Sequence, residues 1–429
     1  MMAVEGPYLV AIIARLSNPT NNLAAFGVAF AIAVIIEAPV IMLMGASTKL
    51  VKDRQSYFAV RRFAYGLSAG LTLVHLVVLI PPVFDQLTAN LLSLPPDVAR
   101  LTYGALVLFL PWPAAIGYRR FQQGLLIRHL LTNRVAYGTV LRLVTMSVTA
   151  FVAFRVTHLD GAYLGALALS AGVTVEAVAS RLMTRNVVPV LLARECTRAR
   201  LDSLRLPSLI NFYVPLALTS LLAMGIQPLV TFFMGQSRFT LESLAVLPVI
   251  HGLTFIFRAL GLSYMEVVIA LIGDRREHFR PIRNFAVMLA LATTGGLMTI
   301  ACTPLAFAWF HNVSGLTLTL TTFALLPLRI LSVFPALSVT LAVQRALLVH
   351  AHRTTPISWV TLMEVFTVAT ALTVEIHVFG MVGAIAAAAA LVIGRIVGIL
   401  WLVPSCLDVL RHSRASAPEP TTVQFAPVE

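Results

Sequence analysis

A chain of 429 residues with 59% hydrophobic and only 11% charged side chains cannot coat a water-facing surface, for which about 25% charged residues is usual. A soluble globular domain is therefore excluded, and lipid must cover much of the surface. The net charge of +13 does not point to nucleic acid, because the cations lie in short loops between apolar runs and no basic patch is interleaved with aromatics.

Apolar runs long enough to span a bilayer recur along the chain. Residues 1–16 give a short first helix, followed by helices at 23–46, 64–84, 101–118, 135–156 and 162–180. A long basic stretch, 181–206, separates these six from helices at 207–234, 242–272, 284–309, 317–349, 356–379 and 381–404. The tail 405–429, with Pro418 and Pro420, reads as disordered. The expected fold class is all-α: a polytopic membrane protein with twelve transmembrane helices in two six-helix lobes, 1–200 and 201–404. Loops 47–63, 119–134, 181–206, 273–283 and 350–355, with the tail, hold 22 Lys and Arg, whereas the alternate loops hold only Arg100 and Arg238. That alternation predicts cytoplasmic termini and a cell inner-membrane protein.

The two halves resemble each other. At an offset of 221, Pro7 falls on Pro228, Val28 on Val249, Gln123 on Gln344 and His129 on His350. At 222, Phe63-Ala64 meets Phe285-Ala286 and Gly161-Ala162 meets Gly383-Ala384. Six helices is an even number, so the copies share one orientation and are related by a pseudo-twofold along the membrane normal. By this register the first helix is expected to begin about fourteen residues before Met1, making it truncated here.

No G-x-x-x-x-G-K-[ST], H-E-x-x-H or G-x-S-x-G is present, so neither ATP hydrolysis nor a familiar catalytic site is indicated. The cysteines, Cys196, Cys302 and Cys406, have no metal-binding spacing. The residues that remain are ionisable groups inside apolar runs, which are costly there and face a wet cavity or a partner. Glu37, in A-V-I-I-E-A-P-V, has Arg258 as its repeat counterpart, and the two are expected either to form a structural pair pinning the halves or to act as a gate or substrate contact between the lobes. Arg142 and Glu364 are near-equivalents at offset 222, read as snorkelling. Glu176, Glu266, Arg345 and Arg395 read as helix-end residues, and Arg15 and Arg155 as snorkelling near the outer face. Glu5 precedes Gly6-Pro7, and Gln227-Pro228 occupies the equivalent place in the seventh helix. A carboxylate beside a kinked helix is the form a coupling-ion site takes. His251 reads as a packing histidine. Arg329, flanked by Pro327 and Pro335 and deep in its helix, is expected to face the cavity and contact an anion.

V-P-L-A-L at 214–218, the stretch around Pro228-Leu229-Val230 and P-L-R-I-L-S-V-F-P at 327–335 carry a resemblance to the MATE-like (multidrug/oligosaccharidyl-lipid/polysaccharide exporter) superfamily, and within it to the progressive ankylosis (ANK) branch. The resemblance implies a two-lobed carrier with alternating access and, for that branch, export of anions such as pyrophosphate, nucleotides or citrate. Arg258 and Arg329 would suit an anion. No cofactor is expected beyond a coupling H+ or Na+, and the expected partners are the bilayer and a small anionic solute. The rival readings are a cation-coupled multidrug antiporter, a lipid-linked oligosaccharide flippase and a non-transporting membrane scaffold.

Overall fold

The computed structural model describes residues 2–193, 206–272, 279–351, 353 and 355–415; part of the basic stretch between the halves, with Cys196, the side chain of Glu266 and the tail beyond 415 lie outside the described residues. In hydrocarbon a backbone N–H or C=O finds no partner but its own helix, so apolar runs of this length become helices. The first half contains α1 (Met2–Ile13), α2 (Pro19–Leu50), α3 (Arg54–Val78, bent by 75° into Pro81–Leu91), α4 (Pro96–Arg128), α5 (Thr132–Val156) and α6 (Gly161–Met183). The second contains α7 (Pro207–Gly235), α8 (Thr240–Leu271), α9 (Phe279–Cys302), α10 (Leu318–His350), α11 (Thr355–Val378) and α12 (Gly383–Arg411). Among the described residues ten of these are single helices long and apolar enough to cross a membrane, and the bent α3 makes an eleventh. This is the all-α, two-halved, twelve-helix architecture expected from the sequence.

Proline sets the bends, because it lacks an N–H and its ring clashes with the preceding turn. α3 turns at Pro81-Pro82, α9 ends before Pro304, α2 tightens to a 3-10 helix over Ala38–Met42 around Pro39, and α10 breaks between Leu331 and Phe334, just before Pro335.

Three helix ends differ from the sequence expectation. α3 starts at Arg54, not 64, because Asp53 and Ser56 form a capping box: Ser56 N donates to Asp53 Oδ1 at 2.9 Å and Asp53 N to Ser56 Oγ at 3.0 Å. α4 runs ten residues past 118, carrying Arg119, Arg120 and Arg128 inside a helix; Arg119 is buried and paired, so its charge does not end the span. Residues 405–415 continue α12 as helix, where a disordered tail was expected.

The internal repeat extends to backbone detail. Left-handed residues Asn18 and Phe239 precede α2 and α8, 221 residues apart. Ser93 and Gly315, also left-handed, are 222 apart, as are the π-helical turns Gln86–Leu91 and Ala308–Val313. Ala162 N donates to Asn22 Oδ1 at 2.9 Å, and Ala384 N donates to Ser243 Oγ at 3.1 Å, the same bond at the same places in each half.

The halves meet where α8 packs on α1 and α2, and where α7 packs on α2. Small residues let these helices approach: a Cβ on Gly27 would meet Pro248 at 2.9 Å, and one on Gly252 would meet Pro7 at 3.0 Å. Ser220 Oγ of α7 donates to Ala38 O of α2 at 2.7 Å, and the Tyr213 hydroxyl donates to Pro39 O. We call the ends of the bundle bearing the 47–63 and 119–134 segments the basic side, and the other the far side.

Candidate functional site

Each half holds its own cluster of charges. In the first half α1, α4, α5 and α6 bring Glu5, Arg119, Gln123, Arg142 and Glu176 together. Arg142 NH2 donates to Glu5 Oε1 at 2.5 Å, and Arg142 Nε lies 3.5 Å from Glu176 Oε2. Arg119 pairs with Glu176, which also accepts from Gln123 Nε2 at 3.2 Å. Glu176 is fully buried, and Glu5 and Arg142 are buried as well. Glu37 sits nearby in α2 and accepts from the Trp112 indole N–H of α4. Arg119, Arg120 and Arg142 stand in this cluster with the buried carboxylates Glu5, Glu37 and Glu176.

This corrects several expectations. Arg142 does not snorkel: α6 presents Glu176 to it and α1 presents Glu5, so it is buried and doubly paired. Glu176 is the hub of the network rather than a helix-end residue. Glu5 is tied up by a guanidinium.

The second half is built differently. Glu364 of α11 pairs with Arg395 of α12 at 3.0 Å. Glu364 stands where Arg142 stands in the first half, 222 residues earlier, and Arg395 falls on Val173, about one turn of α6 from Glu176. Glu364 is buried and paired as well, not snorkelling. Arg258 of α8 lies over the Phe334 ring at 4.4 Å, and Arg395 over the same ring at 5.0 Å. The Arg258 Nε donates to Ser338 Oγ at 3.4 Å, a long and weak bond. Arg345 Nε is buried with no hydrogen-bond partner. Arg258, Arg345 and Arg395, all half-buried, have Glu364 as the carboxylate among them, while Glu375, also buried, lies at the far end of α11.

Glu37 and Arg258 do not meet in this conformation; each finds its partners within its own half. Gln227 Nε2 and His251 Nδ1 are 2.9 Å apart, joining α7 to α8 in agreement with a packing role for His251. Arg329 is exposed on α10 and stands apart from Arg258. Its Nε donates to Ala301 O at 3.3 Å. That carbonyl is freed by the end of α9: Pro304 has no N–H, and Leu305 N turns to Thr303 Oγ instead. Arg155 stacks on Phe151 at 5.4 Å. Arg15, at the far end of α1, crosses to the second half: NH2 donates to Asn312 O and Val313 O, each at 2.8 Å.

A separate apolar cleft of about 560 Å3 opens between the halves, bounded by α2, α3 and α7.

No protein-family model matches the chain, and no curated protein matches it in sequence. Solved structures do match its shape. An inward-facing multidrug resistance MATE family transporter of the MOP superfamily aligns over 97% of this chain and 97% of its own, with a TM-score of 0.77 at 16% identity. The lipid II flippase MurJ in an inward closed conformation aligns over 96% and 89%, with 0.71 at 14%. An outward-facing MATE family transporter aligns over 97% and 96%, with 0.59 at 15%. The chain thus has the fold of MATE-type and MurJ-type proteins, and its conformation is more similar to the inward-facing MATE structure than to the outward-facing one.

Proposed function

We propose that the chain is a secondary transporter of the plasma membrane that exports a small organic or phosphate-bearing anion by alternating access, of the kind the ANK-like motifs imply. Residues 1–200 and 201–404 act as its two lobes, with both termini and the basic loops cytoplasmic and H+ or Na+ as the coupling ion. The observation that carries the anionic substrate is the state of Arg258 and Arg345 in the second half: neither has an ion-pair carboxylate in the described structure, and Glu364, the acid beside them, is held by Arg395. A charge left in that state inside a membrane protein calls for a counter-ion. A guanidinium held against an aromatic ring keeps its fork of donors for a carboxylate or phosphate. The substrate path is assigned to Arg258, Arg345 and Gln227. Glu5, Glu37 and Arg329 are assigned to holding the helices.

The test is solute counterflow in vesicles reconstituted with the purified protein and loaded with labelled pyrophosphate, citrate, nucleotide or a cationic dye. Anion counterflow that Arg258→Ala abolishes is the expected result. Dye counterflow without anion counterflow would move the chain to the multidrug antiporters.

A further inference from the structure

The cleft between the halves is a different kind of site. Its walls are Ile32, Ile35 and Ile36 of α2, Leu71 and Val74 of α3, and Leu229 of α7, with further apolar neighbours. Thr231 is the one polar side chain in its lining, and its hydroxyl is already spent on Gln227 O at 3.1 Å. The cleft is far larger than a single water needs, yet it offers water almost nothing to bond. Water is therefore excluded from it, and a void of this size in a membrane protein would forfeit the contacts of its whole lining. Ile35, Val74 and Leu91 are exposed at its rim, so its open side faces the bilayer.

Its dimensions choose the occupant. Along α2 the cleft runs from Val28 to Pro39, about 16 Å at 1.5 Å per residue. That stretch lies across the middle of α2 and is about half of a hydrocarbon core about 30 Å thick, the reach of a single acyl chain entering from the far side. The floor toward the basic side is closed by the Ser220–Ala38 and Tyr213–Pro39 bonds. The upper end is walled by Leu87, Leu91 and Leu92 in and just after the π-helical turn, beside which Gln86 and Asn90 are exposed near the far-side end of the bundle. We propose that this cleft is a binding site for an acyl chain of a phospholipid from the far-side leaflet, seated as a spacer between α2 and α3 of one half and α7 of the other.

Gly225 gives a way to test this without straining the fold. It lies in the lining, and a Cβ built on it meets no atom within 4 Å, so a large side chain there enters the cleft instead of the protein. The full-length protein is reconstituted in vesicles of phosphatidylethanolamine and phosphatidylglycerol containing a phospholipid with a photo-activatable acyl chain, and the cross-linked peptides are mapped. Cross-links should concentrate on the peptides bearing Ile35 and Leu229 and be lost in Gly225→Phe and in Leu229→Trp. Cross-linking to the lipid-exposed face of α5, at Val148, Phe151 and Val152, should be unchanged in both variants and reports that they are folded and inserted. Thr231→Val should label like the unmodified protein. Equal labelling of the cleft and of α5, or cleft labelling that survives Gly225→Phe, would overturn the proposal. So would cleft labelling that is displaced by a lipid-linked sugar but not by unlabelled phospholipid, which would make the cleft a substrate path.

Discussion

Arg142 and Arg258 are both guanidiniums inside apolar helices, and their surroundings give them opposite roles. Arg142 lies between Glu5 and Glu176. Arg142→Ala would strand the buried Glu5 and leave Glu176 with Arg119 and Gln123 only, and breaking a buried pair costs about 3–5 kcal/mol; thermal unfolding in detergent should show a large loss. Arg258 has one long bond and a ring beneath it. Removing it should change stability by about 1 kcal/mol or less while abolishing anion transport. Arg258→Lys keeps the charge without the fork and should retain a fraction of the rate. Equal stability losses in Arg142→Ala and Arg258→Ala would contradict the assignment of one to architecture and the other to substrate. The sequence marked Arg142 and Glu364 as repeat partners of opposite charge, but it did not pair either with its true neighbour. Hydropathy measures a residue against lipid. It does not register that Glu176, an apparent helix-end residue, faces α4 and α5, nor that Arg119 and Gln123 belong to a helix rather than a loop. The charge exchange across the repeat was the one sequence signal that could have led to these pairs.

Helix breaks at the next scale are positioned by proline and repaired by side chains from neighbouring helices. The end of α9 leaves Ala301 O without its intrahelical donor, and Arg329 of α10 supplies one. Arg329→Met should leave that buried carbonyl unpaired, at a cost of about 1–3 kcal/mol, and Arg329→Lys should recover part of it; melting curves of the two variants would decide. If Arg329→Met is as stable as the parent but fails to transport, Arg329 belongs to the substrate path after all. The sequence drew attention to Pro327 and Pro335, which flank Arg329. The proline that matters is Pro304, on another helix, and no local reading of α10 reaches it. The helices themselves were legible because a span needs a long apolar run whatever it packs against. Their ends were less so: α3 begins ten residues early on the Asp53 and Ser56 capping box, and α4 overruns on charges whose partners are inside the protein.

Across the whole molecule the repeat places equivalent contacts on the far side, where the halves close on each other. Gly235, at the end of α7, lies against Leu92 O after the first π-helical turn. Arg15, just beyond α1, lies against the end of the second, donating to Asn312 O and Val313 O at 2.8 Å and to Ala11 O at 2.7 Å. One contact is made by a residue without a side chain and the other by the longest polar one. The repeat register was visible in the sequence, but Arg15 read as a snorkelling cation because its acceptors, backbone carbonyls about 300 residues away, carry no sequence signature. If alternating access opens the far side, the two cross-half bonds of Arg15 must break. Arg15→Ala should therefore favour the far-side-open state by about 2 kcal/mol, roughly thirtyfold in the ratio of the two states. Gly315 offers an independent route to the same end. It sits at φ +75°, and a Cβ there would meet Arg15 Cγ at 2.9 Å, so Gly315→Ala adds about 1–2 kcal/mol of left-handed strain and pushes the guanidinium off its carbonyls. The measurement is labelling of a cysteine placed at Leu316, which is 1% exposed in the closed arrangement, by a membrane-impermeant maleimide in protein whose native cysteines are replaced. Both variants should label faster than the parent. Unchanged rates in both would mean that Arg15 decorates the far-side closure without holding it, and that the Gly235–Leu92 contact and the proline–glycine packing of α1, α2 and α8 hold the halves together there.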